Sequence, residues 1–197
     1  MDDWAGDAGE QMKIAVDTDL LAGVYPDVGA LNKGLTAGRK SSSYNLGTTG
    51  TPVALTKANI LDYIVDLGSV LDEQNVPETG RWLVMPAWAC GMIKKSDIKD
   101  ASLSGDATSI IRNGRIGMVD RFMIYMSNNL AVVTDGSDQV TNMLAGHRAG
   151  LTFAAQMTSM ETLPNPNSFG NLVRGLNVYG YKVTEGNYLT LLYAKKG

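Results

Sequence analysis

The side chains that could do chemistry in this sequence are few and scattered. His147 is the single histidine, with Ser137 and Asp138 near it in the chain. A Ser-His-Asp triad could be drawn from these three, but no G-x-S-x-G nucleophile elbow accompanies them. A lone histidine beside Arg148 at a strand edge reads as a satisfied polar residue. Cys90, the single cysteine, lies in the apolar stretch 86–94. A reactive thiol needs an electropositive, partly exposed setting, so Cys90 is expected to be buried and inert. One Cys and one His cannot supply a zinc tetrad, and one Cys cannot close an intrachain disulfide. The run Thr-Asp-Gly-Ser-Asp at 134–138 lacks the ligand spacing and closing glutamate of a calcium loop, and reads as a turn. The segment 34–41 resembles a degraded phosphate loop. Lys33 stands where the first glycine should be, Arg39 intervenes before Lys40, and no apolar strand precedes it. Asp62 and Asp66 are four apart on the polar side of a helical pattern, which is a solvated face more often than an acid/base pair. No catalytic, cofactor-binding or metal-binding residue is assigned, and no cofactor.

Composition points the same way. The chain of 197 residues is 44% hydrophobic, enough for one core or a core with a small lobe. Only 19% of residues are charged and 22 are glycine, which suits a protein that covers much of its surface with neighbours and also fits an ordinary α+β domain. The 17 basic and 20 acidic residues form no basic tract, so strong direct DNA binding is not expected. No signal peptide is recognisable at the start, and no apolar run approaches membrane-spanning length.

The elements that would position these groups follow from periodicity. Trp4, Ala8, Met12 and Ala15 share one face of a helix over 1–20, with Gly6 and Gly9 each costing about 1 kcal/mol against it. Residues 22–56 are rich in Gly, Ser, Thr and Asn, so 27–50 should run over the surface with little regular structure. A helix over 57–74 is expected, with Thr56 as N-cap, an apolar stripe of Ile60, Leu61, Ile64, Val65, Leu67 and Leu71, and Asp62, Asp66 and Asp72 facing away. Asn75-Val76-Pro77 stops it. Residues 81–85 form a strand, and Pro86 opens a second helix that carries Trp88, Ala89, Met92 and Ile93 inward and ends at Lys94-Lys95. Trp82 and Val84 are expected in the same core. Residues 102–109 are loop-like. From Gly117 the period becomes two, with strands over 122–126, 131–133, 149–157, 175–183 and 188–194. The last two read as joined across Glu185-Gly186-Asn187. Residues 158–171, with Pro164 and Pro166, stay extended. Helices and strands do not alternate strictly, which makes the class α+β.

The order of elements from 55 to 130 resembles the Hong Kong 97-like family of tailed-phage coat proteins. An amphipathic helix over 54–73 is followed by the polar turn 76–81. Trp82-Leu83-Val84-Met85-Pro86 then leads into a short helix with Trp88 near its start. After a loop containing Arg112-Asn113-Gly114-Arg115-Ile116-Gly117 comes the strand segment 118–129. Residues 145–156 resemble the family's small-residue turn into a strand, and 169–180 its return strands.

The resemblance implies an α+β Hong Kong 97-like capsid fold with an axial domain and part of a peripheral domain. By it, 1–22 is the end of the peripheral spine helix and 23–56 a connecting loop. Residues 57–157 form the axial domain, 158–184 the peripheral return strands, and 185–197 a final strand back into the axial domain. It implies a structural, non-enzymatic subunit of a phage or prophage shell, made in the bacterial host cytoplasm and located in the virion. Its partners would be copies of itself in capsomers, with scaffolding or other virion proteins besides. Packaged DNA would be met only indirectly, and no membrane. Family members carry an N-terminal arm and an extended loop before the spine helix. Without them this chain alone is expected to be a monomer or small oligomer, whereas the full-length natural parent should build shells, and no cross-linking residue is assigned. The rival readings are a small α+β enzyme with an unrecognised site, and another virion component sharing the coat fold.

Overall fold

The computed structural model describes residues 2–96, 117–166 and 169–197. The loop expected at 102–109 and the Arg112–Ile116 part of the resemblance lie outside them. Helix α1 (Asp2–Val24) continues past the expected end despite its glycines. After two short 3-10 turns and an irregular stretch comes β1 (Val53–Leu55). Then follow α2 (Ile60–Glu73), β2 (Arg81–Met85) and α3 (Ala87–Lys95). Past the undescribed residues come β3 (Met118–Val119), β4 (Phe122–Met126), β5 (Val132–Asp135) and β6 (Asp138–His147). A long pair, β7 (Leu151–Pro164) and β8 (Asn171–Val183), precedes the last strand, β9 (Leu189–Lys196). The class is α+β, as expected.

Seven strands form one sheet in the order β1-β9-β6-β2-β4-β3, with β5 also paired to β6. The pairings β1–β9 and β2–β4 are parallel, and the others antiparallel. The β7–β8 pair forms a separate two-stranded ribbon. A single apolar cluster joins the sheet to α2 and α3 and takes in Leu21 and Val24 from the end of α1.

Four expectations need correction. First, β6 is the central strand of the sheet, and periodicity does not reveal it. Its residues from Val140 to His147 are all buried, so both faces are covered and no alternation survives. Gly146 is required there, because a Cβ would meet Leu189 Cδ2 at 2.5 Å and the Tyr188 carbonyl oxygen at 2.8 Å. Second, 175–183 and 188–194 do not pair with each other. β8 pairs with β7, and β9 crosses into the sheet between β6 and β1. Third, α2 starts at Ile60 rather than 57 and Thr56 does not cap it. Asn59 instead ties the approach, accepting from Thr56 N at 2.7 Å and donating to the Ala54 carbonyl at 3.0 Å. On this helix Val65 is 49% exposed, and Val70 takes the buried place. Fourth, β2 turns its other face inward. Leu83 and Met85 are fully buried together with Arg81, while Trp82 and Val84 are half-buried.

The irregular segment at 27–50 is not merely laid over the surface. Asn32, Ala37 and Leu46 are completely buried. The Asn32 amide donates to the carbonyls of Asn187 at 2.7 Å and Leu189 at 2.8 Å, and accepts from Gln74 Nε2 at 2.8 Å. Its backbone carbonyl accepts from Thr190 Oγ1 at 2.9 Å. One fully buried polar side chain thus ties a loop poor in apolar residues to the end of α2 and to β9.

Candidate interaction surfaces

The residues singled out for chemistry are kept apart. His147 and Asp138 occupy opposite ends of β6, nine residue steps and roughly 30 Å apart. Buried His147 accepts from Ala149 N at 3.2 Å through Nδ1 and meets the Tyr188 ring edge-on, with centroids 5.9 Å apart. Asp138 instead pairs with Lys195 Nζ at 2.6 Å. Cys90 is buried, its Sγ 4.0 Å from the Met85 carbonyl, and burial pushes its thiol pKa up, away from the reactive thiolate.

The loop at 34–41 already holds an anion of its own. Glu73 Oε2, from the end of α2, accepts from the backbone N–H groups of Lys40 at 2.7 Å and Ser41 at 3.1 Å. These bonds, the Lys40 one foremost, hold the Glu73 carboxyl below its ordinary range. The 134–138 run is a tight turn with Gly136 at φ 63°. Its Asp135 accepts from Gly50 N at 2.6 Å and Tyr193 OH at 3.3 Å. Asp62 is exposed and Asp66 half-buried, and burial followed by the neighbouring Asp62 charge raises the Asp66 carboxyl. Among the described residues no group of three or more His, Cys, Asp or Glu could hold a metal, and no helix is long and apolar enough to cross a membrane.

One polar cluster went unnoticed in the sequence. The Arg81 guanidinium is fully buried and donates to the carbonyls of Pro77 at 2.9 Å, Val76 at 2.6 Å and Gly68 at 3.3 Å. It also pairs with Asp72 Oδ1 at 2.6 Å. Asp72, expected to face away, shares its second oxygen with Arg121 Nη2 at 2.9 Å. The only advance signal is an arginine opening an apolar strand after a proline-containing turn.

What the molecule presents outward is apolar surface on strands. In the β7–β8 ribbon the face towards α1 carries Phe153 and Tyr179, whose rings lie 6.4 Å apart, and Tyr181. The two tyrosine hydroxyls donate to Asp19 Oδ2 at 3.0 Å and to the Asp19 carbonyl at 3.1 Å. The opposite face presents Leu163 opposite Leu172, the ion pair Glu161–Arg174 at 2.6 Å, and then Leu176 and Val178. Leu176 and Val178 are each 54% exposed, and Phe169 at the tip stands entirely in the open. Neither ribbon strand has another partner among the described residues. A second such patch is made by Met118, Met123, Tyr125 and Met126 on the edge hairpin β3–β4. Free strand edges beside exposed apolar side chains are surfaces that pair with other chains.

Comparison with known proteins gives this arrangement a context. No family model and no curated protein matches the sequence. Solved structures do match. A chain of Mycobacterium phage Che8 superposes with a TM-score of 0.71 at 23% identity, over 95% of this chain and 61% of that one. A chain from the capsid of cyanophage P-SCSP1u gives 0.65 at 13% identity, over 100% of this chain and 66% of that one. One from the mature capsid of bacteriophage PhiM1 gives 0.63 at 15%, over 98% and 64%. The chain thus spans less than two thirds of the length of each. The α+β fold is that of these phage capsid chains.

Proposed function

We propose that this chain is a structural subunit of a phage or prophage capsid shell of the Hong Kong 97-like type, acting by self-association into capsomers. The observation that carries the reading is the likeness, across nearly the whole of this chain, to chains of phage capsids. The surface chemistry agrees with it. The candidate catalytic groups are separated or engaged in internal bonds, while apolar side chains and free strand edges face outward. In this reading the seven-stranded sheet with α2 and α3 is the axial domain. Helix α1 with the β7–β8 ribbon is the peripheral part, and β9 returns the chain to the axial sheet. The contacts between copies would use the ribbon face of Leu163, Leu172, Leu176 and Val178. Two-stranded hairpins are marginal alone, so a neighbour covering this face would also stabilise it.

The test is sedimentation velocity on the natural protein beside a variant with Leu172→Asp and Leu176→Asp. The reading expects capsomer-sized or larger species for the first and a shift to smaller species for the second, with circular dichroism unchanged. Monomers alone for both proteins over the whole accessible concentration range would overturn it.

A further inference from the structure

The outward face of the β7–β8 ribbon carries a pattern that matches its own image. Along β8 the residues on that face are Leu172, Arg174, Leu176 and Val178, every second position. On β7, Leu163 stands across from Leu172 and Glu161 across from Arg174. One ion pair is therefore set between exposed apolar side chains on either side. Arg174 sends two donors to a single carboxylate oxygen: Nη2 at 2.6 Å and Nε at 3.0 Å both meet Glu161 Oε2. Nothing among the described residues meets Glu161 Oε1 or Arg174 Nη1. Each pair thus keeps one acceptor and one donor free. Arg174 is 69% and Glu161 49% exposed, so within one chain the pair adds little stability.

Such a pair is costly to cover with a purely apolar partner, because its free oxygen and nitrogen would lose water and gain no bond. A second copy of this chain brings the complement. Two ribbons can stack face to face about a two-fold axis that runs either across the strands or along them. An axis across the strands through the charged layer sets Glu161 over Glu161 and Arg174 over Arg174. An axis along the strands exchanges the two strands at every layer. Glu161 of each copy then lies over Arg174 of the other, and Leu163 over Leu172. Of the two arrangements, only this one sets opposite charges together and leucine on leucine in one register.

We propose that the outward ribbon face is a self-complementary contact between two copies, stacked about a two-fold axis along the strands, in which the two Glu161–Arg174 pairs join into a square of four charges. This rests on the reading that the chain self-associates, and it names the mate of the ribbon face. The free Nη1 of each Arg174 meets the free Oε1 of the other copy's Glu161 in a charge-assisted bond. The leucines and Val178 supply the apolar area. The charges choose the register, since a reversed stack sets like charges together.

Sedimentation velocity on whole chains tests this with two single variants, Glu161→Arg and Arg174→Glu. Each sets like charges together both within the ribbon and across the contact, and should associate about tenfold more weakly than the natural protein. Mixed one to one, the two variants should associate again. The repulsion inside each ribbon persists in the mixture, so recovery can come only from contact between copies. The double variant Glu161→Arg with Arg174→Glu keeps both pairings and should associate like the natural protein, which keeps the test informative if a single variant does not fold. Single variants that associate like the natural protein, a mixture no better than either variant alone, or a double variant that stays monomeric would overturn the contact and leave the shell reading standing. A natural protein that stays monomeric at every concentration would overturn both.

Discussion

The central strand β6 and the ribbon strand β8 differ in burial: β6 is covered on both faces, while β8 alternates between exposed and half-buried residues from Leu176 to Val183. Every β6 side chain from Val140 to His147 is shut in between helices, loops and neighbouring strands. On β8 the apolar residues Leu172, Leu176 and Val178 stand in solvent. Both strands are long, and only β6 has its apolar side chains covered within this chain. Around β6 the sheet closes its hydrogen bonds and covers its apolar side chains by itself. The ribbon is fixed on one face by two tyrosine hydroxyls bonded to Asp19, and its other face is open to solvent. In the proposed shell reading, Leu144 on β6 holds the fold and Leu176 on β8 would serve assembly, although both are leucines.

Substitutions can break that contrast. The largest effect is expected in the core beneath β2 and β4. Phe122→Ala should cost about 3–5 kcal/mol and Leu83→Ala about 2–5 kcal/mol, since both side chains are fully buried. Urea unfolding measures this, and a cost under 1 kcal/mol at either site would show a looser core than described. Arg81→Ala should cost about 3 kcal/mol, because it strips the donors from three carbonyls and unbalances Asp72.

The next effect is a pH dependence. Burial pushes the Asp72 carboxyl up, but its hydrogen bonds from Arg81 and Arg121 outweigh burial and leave it below the ordinary value of 3.8. A lowered carboxyl stabilises the fold fully above that value, and the contribution is lost as pH falls through the lower folded value. Asp72→Asn should therefore be less stable than the parent at pH 7, with the gap closing below about pH 3.8. A gap that stays constant down to pH 2 would contradict the ion-pair role.

Ribbon substitutions should behave differently. Leu176→Ser should change unfolding free energy by about 0.5 kcal/mol or less while weakening association, which analytical ultracentrifugation would report. The smallest effect is of opposite sign. Asp66 is raised by burial and by Asp62, so its charged form disfavours the fold and stability grows as pH falls through its raised value. Asp66→Asn should be slightly stabilising, by about 0.5 kcal/mol or less at pH 7, and neutral at low pH. Thermal unfolding at two pH values decides it.

Residue types made some of this visible in advance. The run Arg81–Met85 stands as a strand because five residues between a proline turn and Pro86 leave little else. The stripe of Ile60, Ile64, Leu67 and Leu71 declared α2 at helical spacing, and the burial of Cys90 followed from its apolar neighbours. Other features left no local trace. β6 reads Asp-Gln-Val-Thr-Asn-Met-Leu-Ala-Gly-His, a polar mixture whose burial depends on partners 50 residues further on in β9. The inward turn of Arg81 inverted the faces expected for Trp82 and Val84, because carbonyls from the turn and α2 were ready to receive its donors. β8 and β9 are separated by a short turn, so local reading joins them, and only the sheet order shows β9 crossing between β6 and β1. The candidate surfaces escaped for the same reason: an apolar alternation looks alike whether a helix covers it or another copy does.

Electron microscopy of the natural protein tests the central claim most directly. The account predicts capsomer rings or closed shells, with density in which the Leu163–Leu172–Leu176–Val178 face of each ribbon lies against a neighbouring copy. Particles built with that face open to solvent, or a field of separate monomers, would contradict it.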